Sequence, residues 1–133
     1  MKAEELRMGN FIEQGKVFEV KPYHVRVSYW HVHKQQDAMS LVRLDECEPI
    51  PLTEEVLLKA GFERKSFLTE GVVIEIVYYK KDNIILFLLS NFFEIEIITS
   101  AGQFNLHKSF KKELHVLQNL YYALCGRELE VSL

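Results

Sequence analysis

The sequence predicts a small α+β chain in which antiparallel strands dominate and an amphipathic helix lies near the C-terminal end. Three observations predict it. Short apolar–polar alternations recur between Gly, Pro, Asn and Asp turn signals. Residues 53–61 carry a matched helix start and stop. Leucines and a tyrosine repeat at helical spacing across residues 114–124.

The chain has 133 residues, 48% of them hydrophobic, which suits one domain or two small subdomains sharing an interface. Its formal net charge is −3, with the two signs evenly spread, so a large basic groove for nucleic acid is not expected. Two lone cysteines, Cys47 and Cys125, fit a reducing compartment. The charged start Met1-Lys2-Ala3-Glu4-Glu5 has no apolar run behind it and does not read as a secretory signal. The longest apolar run, residues 84–89, is far too short to span a bilayer. A cytoplasmic protein with no membrane role is expected.

Residues 1–52 read as a small strand-rich, SH3-like module. Phe11-Ile12-Glu13 is a short strand and Gln14-Gly15-Lys16 a turn. The extended pattern resumes at Val17-Phe18-Glu19-Val20, and Pro22 breaks it because it lacks a backbone donor. A strand follows over residues 24–30, with Val25 and Val27 alternating against His24, Arg26 and Ser28. Residues 34–38 are polar and read as a loop. Leu41-Val42-Arg43 and Glu48-Pro49-Ile50 are short extended pieces.

Residues 53–133 read as a helix, an antiparallel meander and a terminal helix, packed as one unit with the first module. Thr53 is the helix N-cap, with Glu54 and Glu55 in the first turn, where the dipole favours negative charge. Leu52 and Leu57 are placed as a hydrophobic staple, and Gly61 supplies the left-handed stop. Residues 72–79 alternate around Glu75, Lys81-Asp82-Asn83 turns, and residues 84–89 read as a central strand covered on both faces. Residues 93–97 alternate, Ser100-Ala101-Gly102 turns, and Phe104-Asn105-Leu106 is a short strand. Such tight connections favour antiparallel pairing, since a parallel pair needs a long crossover. The last helix is predicted over residues 110–124, closed by Gly126, its stripe of Leu114, Leu117, Leu120, Tyr121 and Leu124 facing the meander. Residues 128–133 are a candidate edge strand.

Three segments in order resemble a known family. They are Glu5-Leu6-Arg7-Met8-Gly9-Asn10, the stretch beginning Pro51-Leu52-Thr53-Glu54-Glu55 and ending Ala60-Gly61-Phe62-Glu63, and His115-Val116-Leu117-Gln118-Asn119-Leu120-Tyr121-Tyr122. The wording is similar to a family of small uncharacterised proteins found in phages and prophages of gut Bacteroidetes. Its members carry a Leu-Arg-x-Gly-Asn start, a Pro-Leu-Thr-Glu-Glu helix, a His-x-Leu-Gln-Asn-Leu-Tyr helix and a Gly-x-Glu-Leu tail, here Gly126-Arg127-Glu128-Leu129. The resemblance implies action in the cytoplasm of a bacterial host, on host machinery or host defence, and no particular chemistry.

Four groups of residues invite a functional reading. His115, Gln118, Asn119 and Tyr122 fall within about 100° of one another on the terminal helix. A solvated face usually carries Lys and Glu, so this neutral face either receives a ligand or partner, or satisfies backbone groups of a neighbouring segment. Tyr29 and Trp30, near Tyr23, Arg26 and Lys34, could stack single-stranded nucleic acid or plug the end of a small barrel. His31 and His33 have chelating spacing, with His24 or Cys47 as further ligands, but no close Cys or His pairing supports a metal site and a polar strand face is the favoured reading. Glu94 and Glu96 could oppose Glu75 or Lys80 as an acid–base pair, or line the wet face of a sheet.

No phosphate loop, nucleophile elbow or triad order is present in the sequence. No cofactor and no metal are expected. The reading is a non-catalytic phage accessory protein that binds a host protein or a small, nucleotide-like signalling ligand, in an anti-defence role. Its alternatives are a nucleic-acid module on the Tyr29/Trp30 strand and a small enzyme with a pocket at His115. Phe92-Phe93 and residues 128–133 are candidate exposed edges at which a homo-oligomer could form.

Overall fold

The computed structural model describes residues 1–71 and 74–133. In chain order the strands are β1 (Phe11–Ile12), β2 (Gly15–Val20), β3 (His24–His31) and β4 (Gln36–Arg43). The helix α1 (Glu54–Lys59) precedes β5 (Glu63–Leu68), β6 (Glu75–Lys81), β7 (Ile84–Leu88), β8 (Phe92–Thr99), β9 (Gly102–Asn105) and β10 (Phe110–Lys111). The helix α2 (Leu114–Cys125) closes the order. Every named pairing is antiparallel, so the chain is α+β with mostly antiparallel sheets. Two compact units form, Met1–Pro51 with Glu113–Leu129, and Leu52–Lys112 with Glu130–Leu133.

In the first unit, β1-β2-β3-β4 make a four-stranded sheet in sequence order. Its core gathers Leu6, Ile12, Val17, Val25, Val27, Val42, Leu44 and Cys47. Gly15 opens β2 with φ +142°, and a Cβ there would stand 2.4 Å from the Ser28 carbonyl oxygen. No other residue fits this turn. Burial raises the pKa of the Cys47 thiol, whose Sγ donates to the Arg43 carbonyl at 3.4 Å. The helix α2 begins where Leu114 N–H donates to the Ile50 carbonyl at 2.8 Å, and ends at Gly126 in the left-handed conformation (φ +71°).

In the second unit, the order is β10-β8-β7-β6-β5, with β9 also on β8. Thr53 caps α1, its Oγ1 accepting from Val56 N–H at 3.3 Å. The helix is too short to stand alone. The Tyr79 hydroxyl on β6 donates to Glu54 at 3.0 Å, and Lys81 Nζ donates to the Ala60 carbonyl at 2.8 Å, tying both helix ends to the sheet. Burial first, and then the Glu54 carboxylate, raise the Tyr79 pKa.

Several elements differ from the sequence expectations. The loop expected over residues 34–38 is half strand: the turn occupies residues 32–35, and β4 runs eight residues in full register with β3. Pairing to a long neighbour overrides the low strand propensity of Gln36 and Asp37. The strand β5 carries no apolar–polar alternation and was not anticipated; all of its residues are exposed. The strand expected over residues 72–79 starts at Glu75, while Val72 and Val73 lie outside the described residues. The terminal helix starts at Leu114 rather than residue 110, because Phe110 pairs with Phe93 in the sheet, rings stacked at 5.4 Å. Its residues group with the first unit, not with the meander as expected.

Neither proposed edge is an exposed strand. Phe93 is fully buried in β8, which has neighbours on both sides. Residues 128–133 form no strand; Leu129 is buried, and Ser132 N–H donates to the Lys59 carbonyl at 3.0 Å. Among the described residues, no helix is long and apolar enough to cross a membrane.

Candidate functional site

The neutral face of α2 is occupied by the chain's own N-terminal segment. Gln118, 1% exposed, accepts from Phe11 N–H at 2.8 Å and donates to the Gly9 carbonyl at 3.1 Å. Asn119 donates to the Glu5 carbonyl at 3.0 Å and accepts from the Asn10 amide at 2.8 Å. Asn10, itself fully buried, accepts from Arg7 N–H at 2.8 Å. One turn on, the Arg7 guanidinium lies 4.2 Å from the Tyr122 ring centroid and grips both oxygens of Glu128. That carboxylate raises the Arg7 pKa. His115 is 3% exposed, its Nδ1 3.9 Å from a Glu113 oxygen. Of the two readings of this face, the geometry matches satisfaction of a neighbouring segment.

The β3–β4 hairpin separates the other candidates. Neighbouring residues on a strand point to opposite faces. Tyr29 and His31 therefore follow Val25 and Val27, while Trp30 shares the outer face with Arg26 and Ser28. Tyr29 and Trp30 do not form one stacking platform. His33 lies in the turn, its ring edge-on to His31 at 6.1 Å, and His31 Nδ1 accepts from Lys34 N–H at 3.2 Å. His24 is at the far end of β3 on the opposite face, and Cys47 is in the core. Among the described residues, no group of three or more His, Cys, Asp or Glu side chains is placed to hold a metal.

The second sheet carries a feature that the sequence reading missed. Phe67, Tyr78 and Phe87, on β5, β6 and β7, form a ladder of rings with centroid separations of 5.9 Å and 6.2 Å. With Ile85, Glu96 and Gln103 they line a shallow concavity of about 400 Å³. Phe67 is 48% exposed, and Tyr78, Phe87 and Glu96 are half-buried. Register explains the grouping. Lys80 faces Ile85 and Ile85 faces Glu96, so positions 80, 85 and 96 share one side of the sheet. Tyr78, Phe87, Glu94 and Gln103 fall on the same side by alternation. Of the two groups the acid–base reading set opposite Glu94 and Glu96, Lys80 shares their side and Glu75 falls on the other. The available signal was the spacing of residues 76, 78, 85 and 87; taking residues 84–89 as covered on both faces hid it.

Comparison with known proteins finds no matching family model, and neither a curated protein nor a solved structure that matches the chain.

Proposed function

We propose that this chain is a non-catalytic accessory binding protein, and that it recognises a partner protein through the aromatic face of its second sheet. One observation carries the reading: three rings in a ladder, one exposed and two half-buried, flanked by a carboxylate and an amide around one concavity. Aromatic faces attract cations, and a carboxylate at the rim pairs with them. The ligand chemistry that fits is a basic side chain, above all the planar guanidinium of an arginine presented on a partner's surface. Lys65 and Lys80 on the same side favour a partner segment whose own charges alternate. The phage resemblance makes that partner a bacterial host protein.

The first unit fits the role of a small SH3-like adaptor. Support for that closure comes from the short 3-10 turn Leu44–Glu46 and from the bridge that returns Pro49 to Ile12.

An NMR titration with an arginine-containing peptide tests the reading. Ring resonances of Phe67, Tyr78 and Phe87 should move, and Glu96→Gln should weaken the response while the charge-matched control Glu13→Gln leaves it unchanged. Rings that stay still at about 1 mM peptide overturn the proposal. Cyclic nucleotides that raise the melting midpoint where the peptide does not would point instead to a small signalling ligand.

A further inference from the structure

Strand β4 is the outermost strand of the first sheet, and among the described residues it pairs with β3 alone. Eight residues of backbone form that edge. The middle of its outer face is apolar: Met39 is 75% exposed and Leu41 61%, beside Phe18 and Trp30. Natural sheets rarely leave a long apolar edge bare.

The direction of the free backbone groups follows from the hydrogen bonds. The His24 carbonyl accepts from Lys21 N–H, so that residue bonds toward β2. The Tyr23 carbonyl accepts from Leu44 N–H, so Leu44 bonds toward β3. Backbone groups alternate sides along a strand. Hence the even-numbered residues of β4 bond to β3, while Asp37, Met39 and Leu41 direct their N–H and C=O groups to the open edge, and Arg43 directs its N–H there, its carbonyl accepting from Cys47. The same four side chains occupy the outer face.

We infer that the partner of this edge is β4 of a second copy of the chain, paired antiparallel about a two-fold axis at Ser40. In that register Asp37 stands opposite Arg43 of the other copy, twice, and Met39 stands opposite Leu41, twice. The outward residues of the two copies exchange about six backbone hydrogen bonds, the Arg43 carbonyls being held by Cys47. The apolar pairs merge at the centre, with an ion pair at each end. Sliding by two residues, the smallest step that keeps the faces matched, puts Asp37 opposite Leu41 or opposite Asp45. The self-complementary charge order thus selects one register. Within a single copy Arg43 pairs with Asp45 at 2.7 Å, but both side chains are more than half exposed, so the exchange costs little. The inference is independent of the aromatic face on the second sheet.

Sedimentation equilibrium of the full chain tests it. The expected species is a dimer of twice the 15.6 kDa chain mass. Asp37→Arg and Arg43→Asp should each weaken association about tenfold or more, by placing like charges opposite each other. The double variant should restore it, and so should an equimolar mixture of the two single variants, whose unlike edges match again. Leu41→Lys should abolish association with an unchanged circular dichroism spectrum, which separates edge loss from unfolding. A wild-type chain that stays monomeric to about 1 mM overturns the inference. So does a dimer insensitive to the single charge changes, or one that neither the double variant nor the mixture restores.

Discussion

The polar face of α2 and the aromatic face of the second sheet invert each other. The first is conspicuous in the sequence, because four neutral hydrogen-bonding residues replace the usual charges. In the structure, Gln118 and Asn119 are spent on the chain itself, binding backbone of residues 5, 9 and 11 and the amide of Asn10. The second is inconspicuous, scattered over three strands, yet its rings gather and stay open. Unusual composition on one helix marks where backbone must be satisfied. A binding surface on a sheet is assembled from residues far apart in sequence, and only register brings them together.

Substitutions sharpen this contrast. The largest effect is expected at Gln118. Replacement by Leu strands the Phe11 N–H and the Gly9 carbonyl in a buried setting and should cost about 2–4 kcal/mol of stability, read in urea unfolding. Peptide binding per folded molecule should not change; a loss of binding with intact stability would reverse the assignment of the two faces. Arg7→Lys keeps the charge but loses the forked grip on Glu128 and the flat contact with Tyr122, and should cost about 1 kcal/mol by the same measurement. Thr53→Ala removes the cap on α1 and should also cost about 1 kcal/mol, with the melting midpoint as readout. Glu96→Gln should shift stability by no more than about 0.5 kcal/mol while weakening the response to an arginine peptide.

The smallest effect is a drift in alkali. Cys47 and Tyr79 both hold their protons to higher pH in the folded chain than in the unfolded one. The native state therefore binds more protons there, and stability falls as pH rises past the ordinary thiol value of about 8.5. Urea midpoints should drop between about pH 8 and pH 10, and Cys47→Ala should flatten the drop.

The legible parts of the fold were those with local causes. Thr53, Gly61 and Gly126 announced their caps, and the alternation in residues 24–30 and 93–97 announced strands. What stayed hidden depended on pairing. Exposed β5 has no pattern to read, and β4 grows from the three residues expected to eight only because β3 offers a full partner. Phe110 looked helical until Phe93 claimed it. For the same reason the helix face could be found from sequence but not interpreted, and the aromatic face could not be found. The residues that carry the phage resemblance at the two ends, Arg7, Gly9, Asn10, Gln118, Asn119 and Glu128, bond to one another.

The bonds from Gln118 to Gly9 and Phe11 span more than a hundred residues of chain, and everything assigned to the second unit before Glu130 is synthesised between their two ends. On the ribosome, the opening strands emerge first but wait for α2, whose side chains their backbone needs. The second sheet has all of its strands in hand before that helix appears. A chain truncated after Lys112 and released should therefore protect its second sheet from protease while the first is still being cut.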